Sequence, residues 1–283
     1  IFIMSTGIVV RVIAPLLKCK TIDPAIIVMD ELSCHVISLV SGHLGGANRL
    51  TLQLAEALEA TPVITTATDL NKLPAIDVIA KENGLKIEYK DAIKHVSMAL
   101  LTGKNITIFD PYSLIKPHIR DIKNIIPSNL LYTISFPAIY VSDIVIDVEK
   151  RGNFKNQEET EKSEKFESWE KFEKWKKFEK WEEILILRPP SLYVGVGCNR
   201  GTTFDEILEL INRTFSNYNL STLSIAAIAS ISIKNDEKGL LRAAETIKVP
   251  IIFFEKETLL SVKNIENPSL MVEKHVGVKS VCE

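Results

Sequence analysis

The chain of 283 residues is poor in the features that mark several common function classes. It holds four cysteines, Cys19, Cys34, Cys198 and Cys282, and no two of them form a C-x-x-C pair. That spacing excludes zinc-finger and thioredoxin-type sites, and four cysteines in so long a chain do not make a disulfide framework. They are expected to be reduced thiols of a cytoplasmic protein. An excess of charge of one sign is lacking too: 34 Lys and Arg stand against 36 Asp and Glu, a net charge of −2. Without a basic field, nucleic acid is not an expected partner. The most apolar stretch, residues 1–17, is interrupted by Arg11 and Pro15. It is too short to span a membrane and lacks signal-peptide flanks, so no membrane partner is expected. Three catalytic signatures are also missing: the G-x-S-x-G elbow, H-E-x-x-H and the G-x-x-x-x-G-K-[ST] phosphate loop.

What is present is a rather apolar chain, 46% hydrophobic, able to bury a proper core. Its charge is unevenly spread. Between Glu149 and Glu183, 21 of 35 residues are charged, 11 Glu against 10 Lys and Arg. This block carries a repeat, KFESWE, KFEKWK, KFEKWE, that places Phe166, Trp169, Phe172, Trp175, Phe178 and Trp181 at every third position. An α-helix turns about 100° per residue, so a three-residue step winds the aromatic stripe around the helix and makes no single face. The block reads as a solvated linker between domains; a partner or membrane-surface segment is the alternative. The expected organisation is an N-terminal α/β domain over 1–77, a middle portion over 78–148, the charged linker over 149–183 and a C-terminal α/β domain over 184–283. A start in mid-strand and a stop at Glu283 suggest that residues are missing at both ends.

Short β-branched runs predict strands at 26–30, 36–40, 63–66, 106–109, 192–196, 225–233 and 251–254. Residues 1–17 read as a buried strand entering a helix or turn. Helical periodicity predicts helices after Arg49, around 74–83 and 91–101, over 204–215 and over 239–247. Thr203 and Glu206 have the spacing of a capping box. Alternation of strand and helix with short connections predicts an α/β fold with open, mostly parallel sheets in two domains.

Three segments could carry chemistry. Ser41-Gly-His-Leu-Gly-Gly-Ala-Asn48 lies between a predicted strand and helix. Glycines there let backbone N–H groups approach an anion, and His43 could act as acid or base near neutral pH. The other reading is a tight turn in which His43 caps a carbonyl. Thr65-Thr-Ala-Thr-Asp69 puts hydroxyls and a carboxylate at a strand end, the ligand edge of an open α/β sheet, or simply caps a helix. Alternation in 230–234 would put Ser230, Ser232 and Lys234 on one strand face. Gly195-Val-Gly-Cys-Asn-Arg-Gly201 echoes a dinucleotide turn, but its third glycine is one residue late and no acidic residue follows where ribose would be held. An NAD(P)-dependent oxidoreductase is therefore a rival class.

These segments, with Thr6-Gly-Ile-Val-Val-Arg11, Ala14-Pro15, Asp23-Pro24, Asp77, Asp236-Glu237 and Gly277-Val-Lys-Ser-Val-Cys-Glu283, resemble in order the CbiG family, the cobalt-precorrin-5A hydrolases of cobalamin biosynthesis. The charged block is a departure from that family. The resemblance implies opening of the ring-A δ-lactone of a cobalt-corrinoid substrate in the anaerobic vitamin B12 route. Release of acetaldehyde then gives cobalt-precorrin-5B. Cobalt arrives with the substrate, so it implies no protein metal site and no cofactor. A homodimer and hand-over to other cobalamin-pathway enzymes are compatible with it. A non-catalytic corrinoid carrier is the alternative from another class. On that chemistry His43 is the expected base, with Asp69 as alternative base or orienting partner. The N–H groups of Gly45 and Gly46 are the expected oxyanion donors. The substrate-binding set is Arg11, Gly42, Gly45, Gly46, Asn48, Thr65, Thr66, Thr68, Gly197, Arg200, Ser230 and Lys234.

Overall fold

Strand and helix alternate along a computed structural model that describes residues 1–19, 22–129, 136–145 and 181–282. Residues 149–180 of the charged linker lie outside the described residues, as do 130–135 and 146–148 of the middle portion. The contacts divide the described chain into two units: 1–141 with 181–187, and 142–145 with 188–282.

The first unit holds two sheets. The first has the order β1-β2-β3-β4, from β1 (Phe2–Ile3), β2 (Ile26–Met29), β3 (His35–Val40) and β4 (Thr61–Val63). Only β2 and β3 run antiparallel. Helix α1 (Thr6–Ile13) buries Val9 and Ile13, while α2 (Ala47–Leu58) follows β3 and packs Ala47 and Ala55 on Ile27 and Val36. The opening segment thus differs from the expected buried strand. β1 has two residues at the sheet edge, the next eight-residue element is helical, and Ile1 and Ile3 are exposed. An edge strand pairs on one side only and receives no cover on its outer side.

The second sheet has the order β5-β9-β8-β6-β7, from β5 (Lys86–Ile87), β6 (Ile106–Phe109), β7 (Ile125–Ser128), β8 (Ala138–Val141) and β9 (Ile184–Arg188). The β9-β8-β6-β7 pairs are parallel. β8 and β9 are buried at every residue, the mark of parallel strands covered on both faces. Helices α3 (Ala67–Leu70), α4 (Ile76–Glu82) and α5 (Ala92–Thr102) belong to this half. Ile79, Val96 and Leu100 pack on Ile106, Ile108, Ile139 and Leu185 in one core. Gly103, left-handed at φ +68°, stops α5 close to the end of the helix predicted around 91–101.

The second unit carries a parallel sheet, β10-β11-β12, from β10 (Leu192–Gly195), β11 (Ile225–Ile231) and β12 (Ile251–Phe254). Helix α6 (Phe204–Asn217) lays Ile207, Ile211 and Phe215, spaced by four, against that sheet. Its capping box is formed as expected: Thr203 Oγ1 accepts from Glu206 N, and Glu206 Oε2 accepts from Thr203 N at 2.9 Å. Helix α7 (Lys238–Ile247) buries Leu240, Ala243 and Ala244 in the same core. Helices α8 (Lys256–Leu260) and α9 (Leu270–Val276) follow. Every sheet is open, and the described fold is α/β with mostly parallel pairing.

Candidate active site

The turn from β3 into α2 is closed by its own backbone. Ser41 O accepts from Ala47 N at 3.1 Å, Gly42 O from Asn48 N at 3.0 Å and His43 O from Gly46 N at 2.9 Å. Ser41 Oγ donates to Asp23 O and ties the turn to the preceding loop. A Cβ on Gly45 would strike Ser41, and one on Gly42 would come within 2.6 Å of Asn48 Oδ1. Gly46 takes φ +86°, a left-handed conformation that begins α2. Leu44 packs against the core of the second sheet, and Lys81 of α4 donates to Leu44 O at 2.9 Å. His43 is therefore held on a rigid turn between the two halves of the first unit.

Both ring nitrogens of His43 face a carboxylate. Nε2 lies 2.9 Å from Asp69 Oδ2, and Nδ1 lies 3.9 Å from Asp77 Oδ1. A carboxylate only accepts, so the short contact is an Nε2–H donated to Asp69. Thr68 Oγ1 is 3.2 Å from the same nitrogen. Asn48 Nδ2 donates to Asp69 Oδ2 at 3.0 Å and to Thr66 Oγ1 at 2.9 Å, while its Oδ1 accepts from Ser38 Oγ at 2.6 Å. The two carboxylates differ in access: the Asp69 side chain is 40% exposed, that of Asp77 only 7%. The cluster thus runs from a buried acid through an imidazole to an acid open to solvent.

A second polar cluster belongs to the second unit. Arg200 pairs with Asp236, lies 3.3 Å from Glu237 Oε1 and donates to Ile233 O. Glu237 also takes the Gly201 N–H at 3.1 Å and faces Lys234 Nζ at 3.4 Å. The Gly201 N–H and the two cations hold the Glu237 carboxyl below its ordinary value. The Arg200 guanidinium does the same for Asp236. Burial pushes the Cys198 thiol up, against the pull of Lys234.

Three family matches cover most of the chain: Cobalamin synthesis G N-terminal over 1–69, the Cobalamin biosynthesis central region over 74–143 and Cobalamin synthesis G C-terminus over 192–283. The chain belongs to the CbiG family. A Priestia megaterium protein named cobalt-precorrin-5A hydrolase is 33% identical over 284 residues, spanning 100% of this chain and 70% of that one. A Salmonella typhimurium protein of the same name is 35% identical over 283 residues, spanning 99% of this chain and 73% of that one. This CbiG chain is accordingly a hydrolase-family member of cobalamin biosynthesis, as the ordered motifs implied. Among its described residues, no helix is long and apolar enough to cross a membrane.

Of the expected CbiG site residues, the fold brings Gly42, His43, Gly45, Gly46, Asn48, Thr66, Thr68 and Asp69 into one cluster. Thr65 is exposed just before α3, and Arg11 is exposed on α1; neither bonds to that cluster. The Gly46 N–H, expected as an oxyanion donor, donates to His43 O at 2.9 Å in the turn. Gly45 is exposed, and its N–H has no acceptor among the described residues. In the second unit β11 stops at Ile231 and a 3₁₀ turn begins at Ser232, so Ser230, Ser232 and Lys234 share no strand face. Ser230 is buried and donates its hydroxyl to Val196 O at 2.7 Å. Nor do the turn's glycines stand open for a dinucleotide: the Cys282 backbone packs on Gly195, and Cys282 Sγ packs against Gly197. Asp77 and Lys81, one helical turn apart on α4, went unassigned by sequence reasoning. Their spacing by four puts both on one helix face, but it does not say what that face meets.

Proposed function

We propose that this chain hydrolyses cobalt-precorrin-5A. Water opens the ring-A lactone, giving a carboxylate and an alcohol on the old C20 carbon. That alcohol loses its proton as the bond joining C20 to the macrocycle breaks. The electron pair passes to the macrocycle, which takes up a proton, and the two-carbon fragment leaves as acetaldehyde. The product is cobalt-precorrin-5B. The observation that carries this reading is His43, pinned on a closed glycine turn 2.9 Å from a solvent-open carboxylate. Lactone opening needs a base for water and donors for the tetrahedral oxyanion. The His43–Asp69 pair supplies the base. Asn48 fixes Asp69 Oδ2, leaving the other carboxylate oxygen for water. Thr68 Oγ1, 3.2 Å from His43 Nε2, and the Gly45 N–H of the same turn are the oxyanion donors of this reading. Cobalt is cargo of the substrate, and no step is assigned to a protein metal or cofactor.

The test is anaerobic incubation with cobalt-precorrin-5A and assay of acetaldehyde. Release at a rate proportional to protein is expected. Saturable binding of the corrinoid without any release would replace the hydrolase reading with that of a carrier.

A further inference from the structure

The first residues of α6 and α7 are packed together in the second unit: a Cβ on Gly239 would strike Thr202 O and lie 3.1 Å from Phe204 N. Beside them is a cavity of about 530 Å³, lined among others by Arg200, Asp236, Glu237, Lys238 and Arg242. The two acids are already matched, Asp236 by Arg200 and Glu237 by Arg200 and Lys234. Lys238 and Arg242 are not. Neither has a carboxylate partner among the described residues, and both are exposed. Their positions oppose the stability of α7. Lys238 is its first residue, where the helix dipole disfavours a cation. Arg242 follows by four, so the two like charges share a face and repel. No acidic residue offsets them in the first turn, and Glu237, although at the N-cap, turns its carboxylate to Gly201 instead of capping α7. The Arg242 guanidinium lies 4.8 Å over the Phe204 ring, which restrains it. Local choices that conflict with the element carrying them mark a site built for something else.

We infer that this cavity is a carboxylate subsite. Arg242 is its planar, restrained donor and Lys238 its second cation. On the function proposed above, the group it takes is a side-chain carboxylate of the corrinoid substrate. The assignment also relocates binding within the second unit, since Arg200 and Lys234 are occupied by Asp236 and Glu237.

The full chain and its Lys238→Gln/Arg242→Gln variant are titrated by calorimetry with dicyanocobyrinic acid, a stable corrinoid polycarboxylate, and with its fully methyl-esterified form. Acetaldehyde release by the wild type is measured in parallel. Loss of a charge-assisted carboxylate pair should weaken binding of the acid about ten-fold or more, with the ester bound alike by both proteins and the folded far-UV spectrum unchanged. Equal binding of the acid by both proteins overturns the subsite, as does a wild type that releases acetaldehyde yet does not bind the acid. A wild type that neither binds the acid nor releases acetaldehyde defeats the functional reading, and the subsite with it.

Discussion

At the residue scale, the chemistry proposed for the first unit turns on one imidazole between two acids. His43→Ala and Asp69→Asn each remove half of the proposed base and should lower the rate of acetaldehyde release by about 10²–10⁴, the usual span for general acid–base groups. Near wild-type turnover in either folded variant would exclude that residue from the base. Asp77 is different in kind. Its side chain is nearly buried and faces Nδ1 at 3.9 Å, so on the proposed function its part is to position His43. Asp77→Asn should lower kcat about ten-fold or more while leaving KM close to wild type, since no substrate contact is lost. A rise in KM with unchanged kcat would place Asp77 in substrate binding instead. His43 and Asp69 could be singled out in the sequence because strand-to-helix turns of an open sheet are where ligands bind. The role of Asp77 could not, because an acid in the first turn of a helix has an ordinary explanation in the helix dipole.

At the element scale, the glycine turn is a steric device as much as a conformational one. Gly45→Ala would drive a Cβ into Ser41, whose hydroxyl anchors the turn, and should cost about 1–3 kcal/mol of stability as an overpacked site. Gly46→Ala meets nothing within 4 Å and should cost only the left-handed strain, about 1–2 kcal/mol. Urea unfolding of the two variants measures both, and the steric account fails if Gly45→Ala is as stable as wild type. In the second unit, Thr203→Ala removes the cap of α6 and should cost about 1 kcal/mol. This cap was legible because both partners lie within four residues. The end of β11 at Ile231 was not, because Ser232, Ile233 and Lys234 continue the strand's alternation in sequence while the chain turns into a 3₁₀ segment.

At the scale of the whole molecule, a few carboxylates whose charged form is favoured in the fold add to stability in a pH-dependent way. Backbone N–H groups hold Asp30, Glu206 and Glu237 below their ordinary values, with Cys34, Thr203 and Gly201 as the leading donors, and Arg200 does the same for Asp236. A depressed folded value means that the stability these groups confer is complete above the ordinary carboxylate range. It is lost as pH falls through that range toward the depressed values. The thermal midpoint should therefore be flat from neutral pH down to about 5 and fall below about 4. A midpoint unchanged down to pH 3 would show that these contacts contribute nothing. The rival nucleotide reading is also tested at this scale: with Cys282 packed on Gly195 and Gly197, no saturable NAD(P)H binding is expected.

The sequence by itself determined the α/β class, the parallel bias, the caps and the family. Each of these is written in neighbouring residues or in the order of motifs along the chain. Only the tertiary structure decided that Asp77 of α4 and Asp69 of α3 meet the same imidazole, that Lys81 clamps Leu44, and that Ile184–Arg188 lies beside β8 in the second sheet. It also decided which donors are free: Gly46 N–H, Ser230, Arg200 and Lys234 all look available in sequence and are all engaged in the fold. The reason is physical. Periodicity and capping are local and survive in a one-dimensional reading. Whether a polar group has a partner depends on contacts between residues far apart in the chain, and the folded chain alone fixes those.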